Sequence, residues 1–142
     1  MRSVEDILSR EVGVSVDILA KAKERLKDDQ DFGDVLGELG ALTATQWSKA
    51  LATSYDLPYR ETLPPGAEQA ELIDQIPLSF AKRYQLFPLG FWGEEVTVAI
   101  ANPQEVAALD DLRVLLERYI RPFVVPKPVL LEGLNRAYDQ AS

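Results

Sequence analysis

Groups in this sequence that could do acid-base chemistry include the adjacent carboxylate pairs Asp28/Asp29, Glu94/Glu95 and Asp110/Asp111. Two carboxylates share such work only when they face one substrate. Neighbours on a helix or strand point apart, so each pair reads as solvated surface charge. The chain contains no His and no Cys. Serine and threonine nucleophiles therefore lack an imidazole to activate them, and disulfides, thiolate catalysis and Cys/His metal sites are excluded together. The stretch GDVLGELG lacks the Lys-Ser/Thr that a phosphate-cradling loop places at its helix start, and Gly37 and Gly40 fall inside a helical pattern. The sequence carries no enzyme signature, and no metal or cofactor ligands are expected in it.

Binding is the chemistry that remains. Phe91-Trp92 sits just before Gly93, where a hairpin turn is expected, so at least one ring lies at the tip. An exposed Trp there is either a partner anchor or half-covered by a neighbouring helix. Fifteen Lys/Arg against twenty-three Asp/Glu give a net charge of −8, which disfavours nucleic acid and anionic lipid. Residues 1–72 hold 8 basic and 14 acidic side chains, and residues 73–142 hold 7 and 9. A basic protein partner for the first half is the electrostatically favoured guess.

The elements that must position these groups belong to a soluble, globular pattern of 142 residues, 46% hydrophobic and 27% charged. No apolar run approaches the ~20 residues of a bilayer span, and the first residues lack the apolar core of a secretory signal. A cytoplasmic setting without direct membrane insertion is expected.

Residues 1–57 read as a helical subdomain. Ser15 caps a helix with Ile18, Leu19, Ala22 and Leu26 on one face. A further helix carries Phe32, Val35, Leu36 and Leu39 and stops at Gly40. Thr43 and Gln46 form a capping box before Trp47, Ala50, Leu51 and Tyr55. The two stretches match at an offset of 28 residues, with Ser15 on Thr43, Leu8 on Leu36 and Leu19 on Trp47. They read as a duplicated helix-turn-helix unit making about four helices.

Residues 58–75 are expected to form a linker, broken by Pro64, Pro65 and Gly66, with Leu57 to Leu63 extended. Residues 76–142 read as an α+β subdomain. Pro77 is expected at the first position of a short helix, and LFPLGF and VTVAIA form a hairpin about Gly93, Glu94 and Glu95. A helix with Val106, Leu109, Leu112, Leu115 and Leu116 buried precedes a short strand, RPFVVP. A last helix is lined by Val129, Leu130, Leu134 and Tyr138. The fold class is α+β, with a three-stranded sheet covered by helices.

Five ordered elements of residues 76–113 carry a family resemblance: Ile76-Pro77, Phe87-Pro88-Leu89, a turn, Ala99 to Pro103, and Leu109-Asp110-Asp111-Leu112-Arg113. This pattern resembles the N-terminal domain of the type II secretion and type IV pilus assembly ATPases, the general secretory pathway E family. The preceding helical repeat is similar to the one found there. The resemblance implies a docking module that attaches the hexameric ATPase to the cytoplasmic domain of the inner-membrane L subunit, placing it at that membrane only through its partner. The ATPase catalytic domain would be a second partner, in cis. Its Walker motifs, with ATP and Mg, would follow residue 142. In some family members each repeat binds cyclic di-GMP, with Arg-Leu-Gly opening the unit and Gln closing it. Here the second unit offers Asp31-Phe32-Gly33 and Ser54, keeps Gly40, and lacks the arginine. The first unit offers Ser3-Val4-Glu5 and Leu26. The resemblance thus implies a repeat that keeps its fold and has lost the nucleotide site, with a cyclic di-GMP-responsive regulatory domain as the alternative.

Overall fold

The computed structural model describes residues 2–28, 30–64, 74–103 and 106–141, without the side chains of Trp92, Val106, Gln140 and Ala141. Asp29, Pro65 and Gly66, named above, lie outside the described residues.

Four helices open the chain. Helix α1 (Val4–Ile7) runs on as a wider π-turn over Leu8–Val12, and α2 (Val16–Arg25), α3 (Phe32–Glu38) and α4 (Ala44–Ser54) follow. Each begins at a side chain that accepts an otherwise orphaned backbone N–H: Ser3 from Asp6, Ser15 from Ile18, Asp31 from Gly33 and Thr43 from Gln46. Thr43 and Gln46 complete the expected capping box. The caps repeat at 28 residues in both pairs, Ser3 with Asp31 and Ser15 with Thr43. The glycine stops do not. Gly13 (φ 88°) ends the first helix of the first unit and Gly40 (φ 72°) that of the second, one residue out of register. The π-turn holds that extra residue, because the Leu8 carbonyl accepts from both Gly13 and Val14, whereas its counterpart Leu36 accepts from Ala41.

Ile7, Leu8, Leu19, Val35, Leu36, Trp47 and Leu51 close the core of this half. Burying an aliphatic side chain of this kind stabilises by about 1.5–3 kcal/mol. Two expected members are absent from it. Ile18 is 37% and Leu26 41% exposed, since α2 buries the line of Leu19 and Ala22, and the backbone at Leu26 is already extended (φ −67°, ψ 125°).

The second half starts at Pro77, which precedes α5 (Leu78–Tyr84) as its cap instead of forming its first residue, because its ψ of 141° is extended. Strand β1 (Leu86–Trp92) pairs antiparallel with β2 (Glu95–Ile100) across a two-residue turn, Gly93-Glu94, so Glu95 belongs to the strand. The register shifts between Pro88 and Gly90, a β-bulge. Strand β3 (Tyr119–Val124) lies parallel to β2, and the crossover that parallel pairing requires contains α6 (Val106–Leu116). Helix α7 (Lys127–Ala141) closes the fold. The sheet order is β1-β2-β3, and seven helices accompany it among the described residues.

Phe87, Val96, Val98, Ile100, Leu112, Val124, Leu130 and Leu134 form the second core. Leu115, expected within it, is 52% exposed. Ala108, Leu112 and Leu116 recur every four residues along the buried ridge of α6, and Leu115 is turned about 100° from Leu116. The extended stretch after α4 packs into this half: Tyr59 bridges Val124 in parallel, and Leu57, Tyr59 and Leu63 lie against the second core. Ala52 of α4 is buried there too, which seats the helical half against the sheet.

Candidate functional site

Asp31, which stands where the resemblance would place a phosphate-binding arginine, caps α3 by accepting the Gly33 N–H at 3.0 Å. Burial is the largest influence on its carboxyl and raises the pKa above the ordinary 3.8. Asp34 adds to the rise, while the Gly33 hydrogen bond and Lys127 oppose it. Phe32 meets the Trp47 ring edge-on at 6.1 Å. Gly33 lies directly under the same indole, where any Cβ would overlap the ring. The glycine is thus required by the close packing of α3 on α4. Gly40 supplies the left-handed turn. Ser54, at the closing position, is buried and donates to the Arg2 carbonyl at 2.7 Å, tying the end of α4 to the start of the chain. In the first unit Ser3 is a helix cap and Leu26 is exposed.

Two adjoining cavities of about 380 and 570 Å³ separate the helical half from the Ala101 end of the sheet. Asp31, Asp34, Trp47 and Lys127 line both. Lys127, from the start of α7, spans the cleft to Asp34 at 3.0 Å. Two further cations line the larger cavity. Lys23 is paired with Glu5 at 2.8 Å. Arg83 lies over the Tyr84 ring at 5.2 Å and has no carboxylate partner among the described residues. Trp47 Nε1 and Gln85 Oε1 are buried in the wall without a hydrogen-bond partner among the described residues. The cleft is polar and mixed in charge, with two of its three cations held by the chain's own acids.

At the opposite end of the sheet, Phe91 is half-buried against the second core, with the Arg118 guanidinium 5.4 Å from its ring centre. Trp92 pairs with Glu95 beside the turn, and its side chain lies outside the described residues. Glu95 is bound to Arg121, which holds its carboxyl below the usual range. The two candidate regions, the repeat openings and the hairpin tip, therefore lie at opposite poles and do not form one site. The sequence expectations missed the exposure of Val114, Leu115 and Tyr119 near the second pole. Two adjacent apolar residues cannot both face one helix ridge, and that signal was present at Val114-Leu115.

Among the described residues no group of His, Cys, Asp and Glu could hold a metal ion, and no helix is long and apolar enough to cross a membrane. The MshEN domain model matches residues 55–142. The type IV pilus assembly ATPase PilB of Myxococcus xanthus is 27% identical over 136 residues, which cover 95% of this chain. That stretch is only 24% of the length of PilB. The fold is similar to the structure of MshE with cdg, at a TM-score of 0.77 and 25% identity over 97% of this chain and 100% of that one. It is similar also to the N-terminal domain of XpsE, at a TM-score of 0.72 and 21% identity over 96% of each chain. The family match over residues 55–142, more than half of the chain, is borne by the same sheet half described above, and the pilus-ATPase relative is similar over nearly the whole sequence: this chain belongs to the MshEN domain family.

Proposed function

We propose that this domain is a non-catalytic docking module that attaches a cytoplasmic type II secretion ATPase to the cytoplasmic domain of the inner-membrane platform's L subunit. It is peripheral to the membrane through that partner and needs no cofactor of its own. The observation that carries this reading is the state of Asp31. At the position where family members that bind cyclic di-GMP have an arginine, this chain puts a partly buried carboxylate, engaged as a helix cap and set beside Asp34. A charge-assisted contact to a phosphate contributes about 1.5–3 kcal/mol, and here it is replaced by repulsion.

A second reading, a cyclic di-GMP-responsive regulatory domain, is favoured by one observation: Arg83 faces the cleft without a carboxylate partner among the described residues. Calorimetry separates the two. The protein is titrated with cyclic di-GMP and, separately, with the cognate L-subunit cytoplasmic domain. A complex with the L subunit and no heat from the nucleotide is expected. A nucleotide dissociation constant at or below about 1 μM, roughly −8 kcal/mol, lost on Arg83→Ala, would replace the first reading with the second.

A further inference from the structure

We infer that the outward face of α6, together with Tyr119 just beyond it, is the surface that receives the partner, and that it takes a basic, apolar-faced segment of the platform subunit. The inference rests on the docking reading above and adds the surface and the chemistry of its occupant.

Val114 is 74%, Leu115 52% and Tyr119 64% exposed. Three of the six large apolar side chains that are exposed among the described residues thus fall within six positions. Helical geometry sets Val114 and Leu115 about 100° apart, with Asp111 between them. With 100° per residue, Ala107 and Val114 lie on one line two turns apart, while Asp110 and Asp111 flank that line one turn before Val114. The buried ridge of Ala108, Leu112 and Leu116 faces the other way. Among the described residues nothing covers Val114, and an uncovered apolar surface on a helix marks a place for a partner.

The charge around this surface selects the occupant. Asp110 and Asp111 are exposed and have no ion-pair partner among the described residues. At the end of the helix an open groove of about 650 Å³ is edged by Glu94, Glu117 and Tyr119. Of the two arginines that also line it, Arg118 lies over Phe91 and donates to the Glu117 carbonyl, and Arg113 has no ion-pair partner among the described residues; against Asp110, Asp111, Glu94 and Glu117 they leave the face net acidic. The carboxylates flanking this surface favour lysines or arginines on the partner and repel an anionic lipid surface. A second copy of this chain docked by the same face would bring two net-acidic surfaces together, which opposes self-association.

Surface plasmon resonance with the immobilised L-subunit cytoplasmic domain tests the inference. Val114→Asp/Leu115→Asp is expected to weaken binding about 100-fold, mainly through faster dissociation. Asp110→Lys/Asp111→Lys is expected to slow association about tenfold at low salt, with the difference fading at high salt. All four positions are exposed, and unchanged melting temperatures are the control for folding. If the wild type binds and both double variants bind as it does, this face is wrong while the docking reading stands. If the folded wild type does not bind at all, the docking reading fails and takes this inference with it. A concentration-dependent dimer of the wild type, abolished by Val114→Asp/Leu115→Asp, would overturn the proposed occupant in favour of self-association.

Discussion

The two poles of the sheet treat charge in opposite ways. At the Ala101 end, beneath the helical half, Lys127 meets Asp34, Lys23 meets Glu5, and Asp31 is engaged in its own helix cap. At the other end Asp110 and Asp111 stand beside Val114 and Leu115 with no ionic partner among the described residues. The pole where the family resemblance suggests a ligand engages its acids internally and leaves a cation, Arg83, without a carboxylate partner among the described residues, whereas the other pole pairs Glu95 with Arg121 and leaves the two aspartates unpaired. A site is thus better located by which groups lack partners than by where a motif falls.

The comparison is tested first by asking whether the two halves hold together. Leu36→Ala in the helical core and Leu134→Ala in the sheet core each remove a fully buried side chain and should each cost about 2–5 kcal/mol. Ala52 links the cores, so both variants are expected to lower one common transition in denaturant melts followed by circular dichroism. Two separate transitions would break the picture of the helical half as a firmly seated wall of the cleft. A smaller effect probes the wall itself. Gly33→Ala drives a methyl into the Trp47 indole and should destabilise by about 1–3 kcal/mol, with a change in Trp fluorescence.

The smallest effect concerns Asp31. Folding raises its pKa, so the folded state holds the proton more tightly than the unfolded chain. Its stabilising contribution is therefore present at low pH and is lost as pH rises from the ordinary 3.8 through the raised value. Asp31→Asn keeps a side chain that caps equally well and removes this dependence. Urea midpoints should show a variant at least as stable as wild type at pH 7, by about 0.5 kcal/mol or less, with a flatter profile in that acid range. A variant markedly less stable at pH 7 would mean that the ionised Asp31 is needed opposite Lys127.

Much of the fold was legible in the sequence because its signals were local. Ser15, Thr43 and Gln46 cap where a hydroxyl and an amide can reach the next turn's N–H groups, and Val96, Val98 and Ile100 alternate as a buried strand must. Features set by long-range packing were not legible. Nothing local says that Tyr59 bridges Val124 or that Lys127 finds Asp34, 93 residues earlier. The repeat was visible through its caps, but its one-residue slip was hidden, because a π-turn has no strong residue signature. At the candidate site the sequence identified Asp31 and Gly33 as departures from or survivals of a pattern. The structure supplied the reasons, a cap and a ring contact. Leu115 misled because counting apolar residues does not say which side of a helix faces the core.

The bulge in β1 has a bearing on solubility. β1 pairs only with β2 and so forms a free margin of the sheet among the described residues, where another chain could add a strand. Pro88 has no N–H to offer, and the register breaks between it and Gly90. A neighbouring chain that aligned along this margin would find a ladder interrupted at its middle, so many copies of the domain can crowd together without zipping edge to edge.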